Sequence, residues 1–121
     1  MKLSKAEEEL MNHLWNLEKG LMKDLIQSYD DPKPAKTTIA TLLKRMQDKG
    51  VIDYEQVGRS REYFPLIQKK EYFSKYVNNL IKNFFDNSAS QFASFFTKET
   101  NLSKSELENL RNLIDSEIKK K

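Results

Sequence analysis

The chain has 121 residues, no cysteine, a single histidine and a net charge of +3, with 32% charged and 38% hydrophobic residues. Such a length corresponds to one domain, or a small domain with an appendage, and leaves no room for a large enzyme. Without cysteine, disulfide frameworks, zinc-thiolate sites and thiol nucleophiles are excluded, and His13 alone cannot build a metal cluster.

The opening "MKLSKAEEELMNHLW" carries acidic residues where a signal peptide needs an apolar core. No apolar run approaches the ~20 residues of a membrane span, so a cytoplasmic protein without membrane insertion is expected. Ser4 with Glu7 three residues on reads as a capping box, and Leu3, Ala6, Leu10, Met11, Leu14 and Trp15 recur at helical spacing. This first helix should end at Gly20. Glu7, Glu8 and Glu9 would support its dipole, His13 reads as a surface residue, and Trp15 as an anchor between the first three helices. A second helix is expected in "LMKDLIQSY", with Leu21, Met22, Leu25, Ile26 and Tyr29 as its apolar stripe. "DDPKP" stops it, and Pro34 suits the first turn of a third helix running from Lys36 to about Lys49, closed by Gly50.

After Gly50 the period changes to two. "VIDYEQV" and "REYFPL" read as strands joined by "GRS", a hairpin with a basic tip in which Tyr63 and Phe64 belong to the core or to strand pairing. The order helix, helix, helix, hairpin predicts a mainly α chain whose residues 1–68 form a winged helix-turn-helix. In that fold the third helix enters a major groove of DNA and the hairpin lies along the backbone.

Residues 69–121 read as a helical dimerisation region. Tyr72, Tyr76, Leu80 and Phe84 repeat every four residues, as do Phe73, Val77, Ile81 and Phe85. Relative to a helix of about 3.6 residues per turn, this stripe drifts about 40° per step and wraps around the helix. Phe92, Phe95 and Phe96 continue it after "DNSAS"; Ser103 with Glu106 caps a last helix carrying Leu107, Leu110, Leu113, Ile114 and Ile118. So short a helical segment cannot bury that much apolar surface alone, and a second copy of the chain, a two-fold homodimer, is the simplest cover.

The third helix turns Ile39, Leu42, Leu43 and Met46 inward. Its other side is made of Thr37, Ala40, Thr41 and Lys44, flanked by Lys36, Thr38 and Arg45, with Asp48 its single acid. Hydroxyls and methyls of this size approach base edges, and Lys and Arg pair with guanine or phosphate. Seven basic residues stand against three acidic ones between Lys33 and Arg61, a local +4 that would steer a polyanion to one face. Arg59 and Arg61, flanking Ser60, suit two phosphates. A solvated helix face and a polar turn are the plainer readings, and it is the surrounding order of elements that favours a DNA operator as partner. No phosphate loop, nucleophile motif or tunable acid pair is present, so neither an enzyme nor a cofactor is expected. A winged-helix adaptor for protein partners, or an architectural DNA-binding protein with little sequence preference, are the alternatives.

With these residues in view the sequence resembles the penicillinase repressor (BlaI/MecI/CopY) family. "LSKAEEELMNHLW" is similar to its opening helix, "TTIATLLKRMQDKGVIDYE" to its recognition helix and first wing strand, and "LSKSELENLRNLI" to its closing helix. The resemblance implies a dimeric winged-helix repressor of resistance or metal-handling genes on a palindromic operator, with DNA contacts by Lys36, Thr37, Thr38, Thr41 and Arg45 and backbone contacts by the wing. It also implies a membrane sensor protease as a candidate partner, cutting the β-lactam branch at an Asn-Phe bond before the last helix. Here Phe95 and Phe96 of "SFFTKE" align with that bond, so the asparagine is replaced. The copper branch senses metal through C-terminal cysteines, which this chain lacks.

Overall fold

The computed structural model describes residues 2–121. Helix α1 spans Lys5–Leu17, a short strand β1 Gly20–Leu21, α2 Met22–Gln27 and α3 Lys36–Asp48. Strands β2 (Ile52–Val57) and β3 (Ser60–Pro65) follow, then α4 (Lys69–Phe84), α5 (Ala89–Glu99) and α6 (Lys104–Lys120). The chain divides into two compact units, residues 1–74 and 75–121, with the division inside α4 rather than at the expected 68/69.

In the first unit the apolar residues of α1 and α3 converge. Leu10, Met11 and Leu14 meet Leu25 of α2, Ile39, Leu42, Leu43 and Met46 of α3, and Val51, Ile52 and Tyr63 from the sheet. Each such side chain contributes about 1.5–3 kcal/mol by leaving water. The sheet is antiparallel in the order β1-β3-β2. β2 pairs with β3 from Ile52 opposite Pro65 to Val57 opposite Ser60, while Gly20 and Leu21 pair with Tyr63 and Glu62. The third strand changes the expected start of the second helix: α1 stops at Leu17, Glu18 turns at φ 69°, and the chain runs extended along β3 before α2 begins. Leu21 N–H then donates to Asp24 Oδ2 at 3.0 Å, capping α2. With Gly50 at φ 77°, α3 closes as expected and delivers Val51 into the core.

Three expectations for this unit are corrected by packing. Tyr72, assigned by its spacing to the dimer surface, is 4% exposed in the winged-helix core. Its hydroxyl donates to Glu8 Oε2 at 2.6 Å and accepts from Leu3 N–H. Trp15 packs against the core but is only partly buried, and it anchors the start of α4 as well: its Nε1 donates to Ile67 O at 2.9 Å and its ring meets Tyr72 and Phe73, each at 6.0 Å. The first turn of α4 therefore belongs to the first unit. His13 is half-buried against the Tyr29 ring, centroids 4.1 Å apart. Burial, then the Glu9 charge, pushes the Tyr29 hydroxyl up to about 12.

Glu7 does more than cap. Its carboxylate accepts from Ser4 N–H at 2.7 Å and Ser4 Oγ accepts from Glu7 N–H, the expected box. The side chain is also 1% exposed and takes Lys49 Nζ at 2.6 Å on the same oxygen. This pair joins the first turn of α1 to the residue that closes α3.

In the second unit Ser88 caps α5 and Ser103 caps α6. Asp86 and Asn87, both with positive φ, turn the chain between α4 and α5 and set Phe85 against Phe92 and Phe95, each at 5.4 Å. Phe96 stacks on Phe92 at 6.1 Å. No residue from 75 to 121 is buried, and Phe84, Leu113, Ile114 and Ile118 are 60–76% exposed. The Phe95–Phe96 bond lies inside α5, where its backbone is helical.

Candidate nucleic-acid interface

Buried Ile39, Leu42, Leu43 and Met46 fix the roll of α3, so Lys36, Thr37, Thr38, Ala40, Thr41, Lys44 and Arg45 are all exposed. Ala35, the N-cap, supplies no side-chain hydrogen bond, and no acid occupies the first turn. The positive end of α3 is thus left uncapped beside Lys36, a favourable place for a phosphate oxygen. Thr41 Oγ1 donates to Thr37 O at 2.9 Å, which commits its hydroxyl hydrogen to the helix. An outside partner then meets Thr41 as an acceptor and a methyl group. Lys44 pairs with Asp48 at 3.0 Å, but both are mostly exposed and such an i, i+4 pair contributes only about 0.3–0.5 kcal/mol. Lys44 can therefore be released to a stronger anion. The side chains of Lys36 and Arg45 make no ion pair among the described residues.

The wing turns through Gly58 and Arg59, with Gly58 at φ 63°, the left-handed region that favours glycine. Gln56 Nε2 donates to Gly58 O at 3.3 Å and Ser60 O at 3.1 Å, bracing the tip from one side. Arg59 stands at this braced tip with no partner among the described residues. Arg61 is held differently: its guanidinium lies 4.3 Å from the centre of the Tyr54 ring, which in turn meets Tyr63 at 5.7 Å. At an exposed site that cation-π contact stabilises by about 0.5–1 kcal/mol, enough to orient the side chain. The two arginines are thus unequal, one free and one pre-set.

Between α2, the start of α3 and the wing lies a groove of 510 Å³, lined by Leu21, Met22, Lys23, Ile26, Lys36, Arg59, Ser60, Arg61 and Tyr63. It brings Lys36 together with all three wing residues, while Thr37, Thr38, Thr41, Lys44 and Arg45 lie beyond it along α3. Sequence reasoning missed Lys23, Tyr54 and Gln56. A lone lysine on a short helix carries no signal, but cross-strand positions 54 and 61, one on each strand of an expected hairpin, were open to inspection once the register was fixed.

Among the described residues, no helix is long and apolar enough to cross a membrane. Methicillin resistance regulatory protein MecI of Staphylococcus aureus (strain N315) is 27% identical over 114 residues, 93% of each chain. The penicillinase repressor of Bacillus licheniformis is 22% identical over 120 residues, 98% of this chain and 94% of its own. The solution structure of the DNA-binding domain of the repressor BlaI superposes with a TM-score of 0.52 at 28% identity, covering 59% of this chain and 88% of that domain. The profile described as penicillinase repressor matches residues 3–116, and the chain belongs to that family.

Proposed function

We propose that this chain is a homodimeric transcriptional repressor that reads a palindromic operator in double-stranded DNA and silences an operon of the resistance or stress type. The observation that carries the reading is the exposed Thr, Lys and Arg face of α3, fixed by a fully buried opposite side and set beside a braced, cationic wing. α3 supplies sequence preference through Thr37, Thr38, Thr41, Lys44 and Arg45, and Lys36, Arg59, Ser60 and Arg61 supply contacts to phosphates. The exposed apolar surface of α4, α5 and α6 supports pairing with a second copy. Phe95 and Phe96 remain the candidate position for a sensor protease, which would have to unwind α5 to reach it.

Fluorescence anisotropy on the DNA upstream of the chain's own gene tests this. A palindrome-dependent complex should form, with affinity falling steeply as salt rises because neutralised phosphates release counterions. Arg45→Ala should lower discrimination between operator and scrambled duplex by about 1–3 kcal/mol. Arg59→Ala should weaken both duplexes alike and reduce the salt slope by about 1. A complex insensitive to salt and to the palindrome would end the proposal. Equal affinity for both duplexes in the unmodified chain would mark an architectural protein instead.

A further inference from the structure

Phosphate contact calls for cations and amides, but the groove beside the wing also has an apolar floor. Leu21, Met22 and Ile26 are half-buried there and Tyr63 is 7% exposed. Four cations, Lys23, Lys36, Arg59 and Arg61, stand on its rim and no acid lines it. None of the four makes an ion pair among the described residues, Arg61 being held only over the Tyr54 ring. The volume of 510 Å³ falls in the range of about 300–1,000 Å³ typical of small-molecule sites. Mutual repulsion on the rim is relieved by an anion, the floor rewards an apolar body, and Met22 can adapt its shape to it.

We propose that this groove binds a small organic anion, an aromatic or branched aliphatic body bearing one carboxylate, and that its occupancy excludes DNA. The exclusion rests on the repressor reading, because Lys36 and Arg59 serve both ligands; the binding itself does not. The carboxylate takes charge-assisted hydrogen bonds from the rim that a phosphodiester would otherwise receive, while the body covers Leu21, Met22 and Ile26. The site is therefore an input for a small-molecule signal that needs neither proteolysis nor metal.

Titrating 2-naphthoate into the full chain without DNA, followed by ¹⁵N NMR, should move the amides of Leu21, Met22, Ile26 and Arg59. Neutral 2-naphthylmethanol should bind about tenfold more weakly for want of the charged hydrogen bonds. Inorganic phosphate, lacking the body, should also bind more weakly. Met22→Trp, which fills the floor, should abolish the shifts; Arg59→Ala, at the exposed tip and remote from the core, should weaken binding while leaving core resonances in place. With DNA present and naphthoate at ten times its Kd, the apparent DNA Kd should rise about tenfold by mass action. Absence of shifts, shifts confined to α6, or equal binding of the alcohol or of phosphate would overturn the site. Groove binding without DNA displacement would overturn the exclusion. A chain that binds naphthoate in the groove but no DNA at low salt would overturn the repressor reading and leave the groove standing.

Discussion

Lys49→Met is expected to destabilise the winged helix by about 3–5 kcal/mol, the cost of stranding a buried charge after its partner is removed. Glu7 is 1% exposed; its Oε1 takes Lys49 and Ser4, and its Oε2 is buried with no partner among the described residues. Burial pushes the Glu7 carboxyl up, but hydrogen bonds from Lys49 and Ser4, with the Lys49 charge, outweigh it and hold the carboxyl below the ordinary glutamate range. A depressed folded-state pKa means stability that is present above the unfolded value near ~4.3 and is lost as pH falls through the folded one. Removing Lys49 raises the folded-state pKa, so the penalty of Lys49→Met should be full at neutral pH and shrink toward acid. The double variant Glu7→Met with Lys49→Met should recover most of the loss, because an apolar pair of similar volume leaves no charge to strand. Urea midpoints by circular dichroism at neutral and acid pH check all three. A variant as stable as the parent, or one equally destabilised at both pH values, would show that the pair does not hold α1 to the end of α3.

The position of Glu7 was legible in the sequence but was given only part of its meaning. Leu3, Glu7, Leu10, Met11 and Leu14 fall at i, i+4, i+7, i+8 and i+11, so residue 7 lies in the middle of the apolar stripe. The capping box explains the residue type at this position, and the stripe places it on the face that is buried. α3 read cleanly, because Ile39, Leu42, Leu43 and Met46 carry an unambiguous period and all four are buried. The hairpin likewise followed from period two and from Gly58. β1 left no such trace, since two residues cannot show a period and Gly20 resembles a helix stop. Tyr72 differs for the opposite reason: its four-residue repeat is real, but the repeat straddles two packing environments, the first turn held by Trp15 and Glu8 and the later turns partly buried at Leu80 and exposed at Tyr76 and Phe84. Periodicity reports which residues share a face and not what covers that face. For the interface, residue types at Lys36 to Arg45 and Arg59 to Arg61 were readable, whereas the braces that pre-set them, Gln56 and Tyr54, required the strand register.

In the proposed homodimer, Leu113→Asp combined with Ile114→Asp should convert the dimer into a folded monomer and cut affinity for the palindrome by about 10²–10⁴, while leaving affinity for a single half-site unchanged. Leu113, Ile114 and Ile118 stand 63%, 60% and 65% exposed on α6, three large apolar side chains on one face. Covering each would contribute about 1.5–3 kcal/mol, and two buried carboxylates in their place would each cost more than that without a cation to pair with. Because neither side chain is buried in the chain by itself, the substitutions leave the fold of the winged helix untouched. The large loss arises without removing any DNA contact: once the first winged helix is bound, the second half-site is engaged at the high effective concentration set by the tether, and a monomer forfeits that advantage entirely. Sedimentation velocity and anisotropy on palindrome and half-site duplexes separate the two effects. A parent chain that sediments as a monomer, or a doubly substituted chain that holds the palindrome as tightly as the parent, would remove the paired mode of action and return the exposed face of α6 to a partner of another kind.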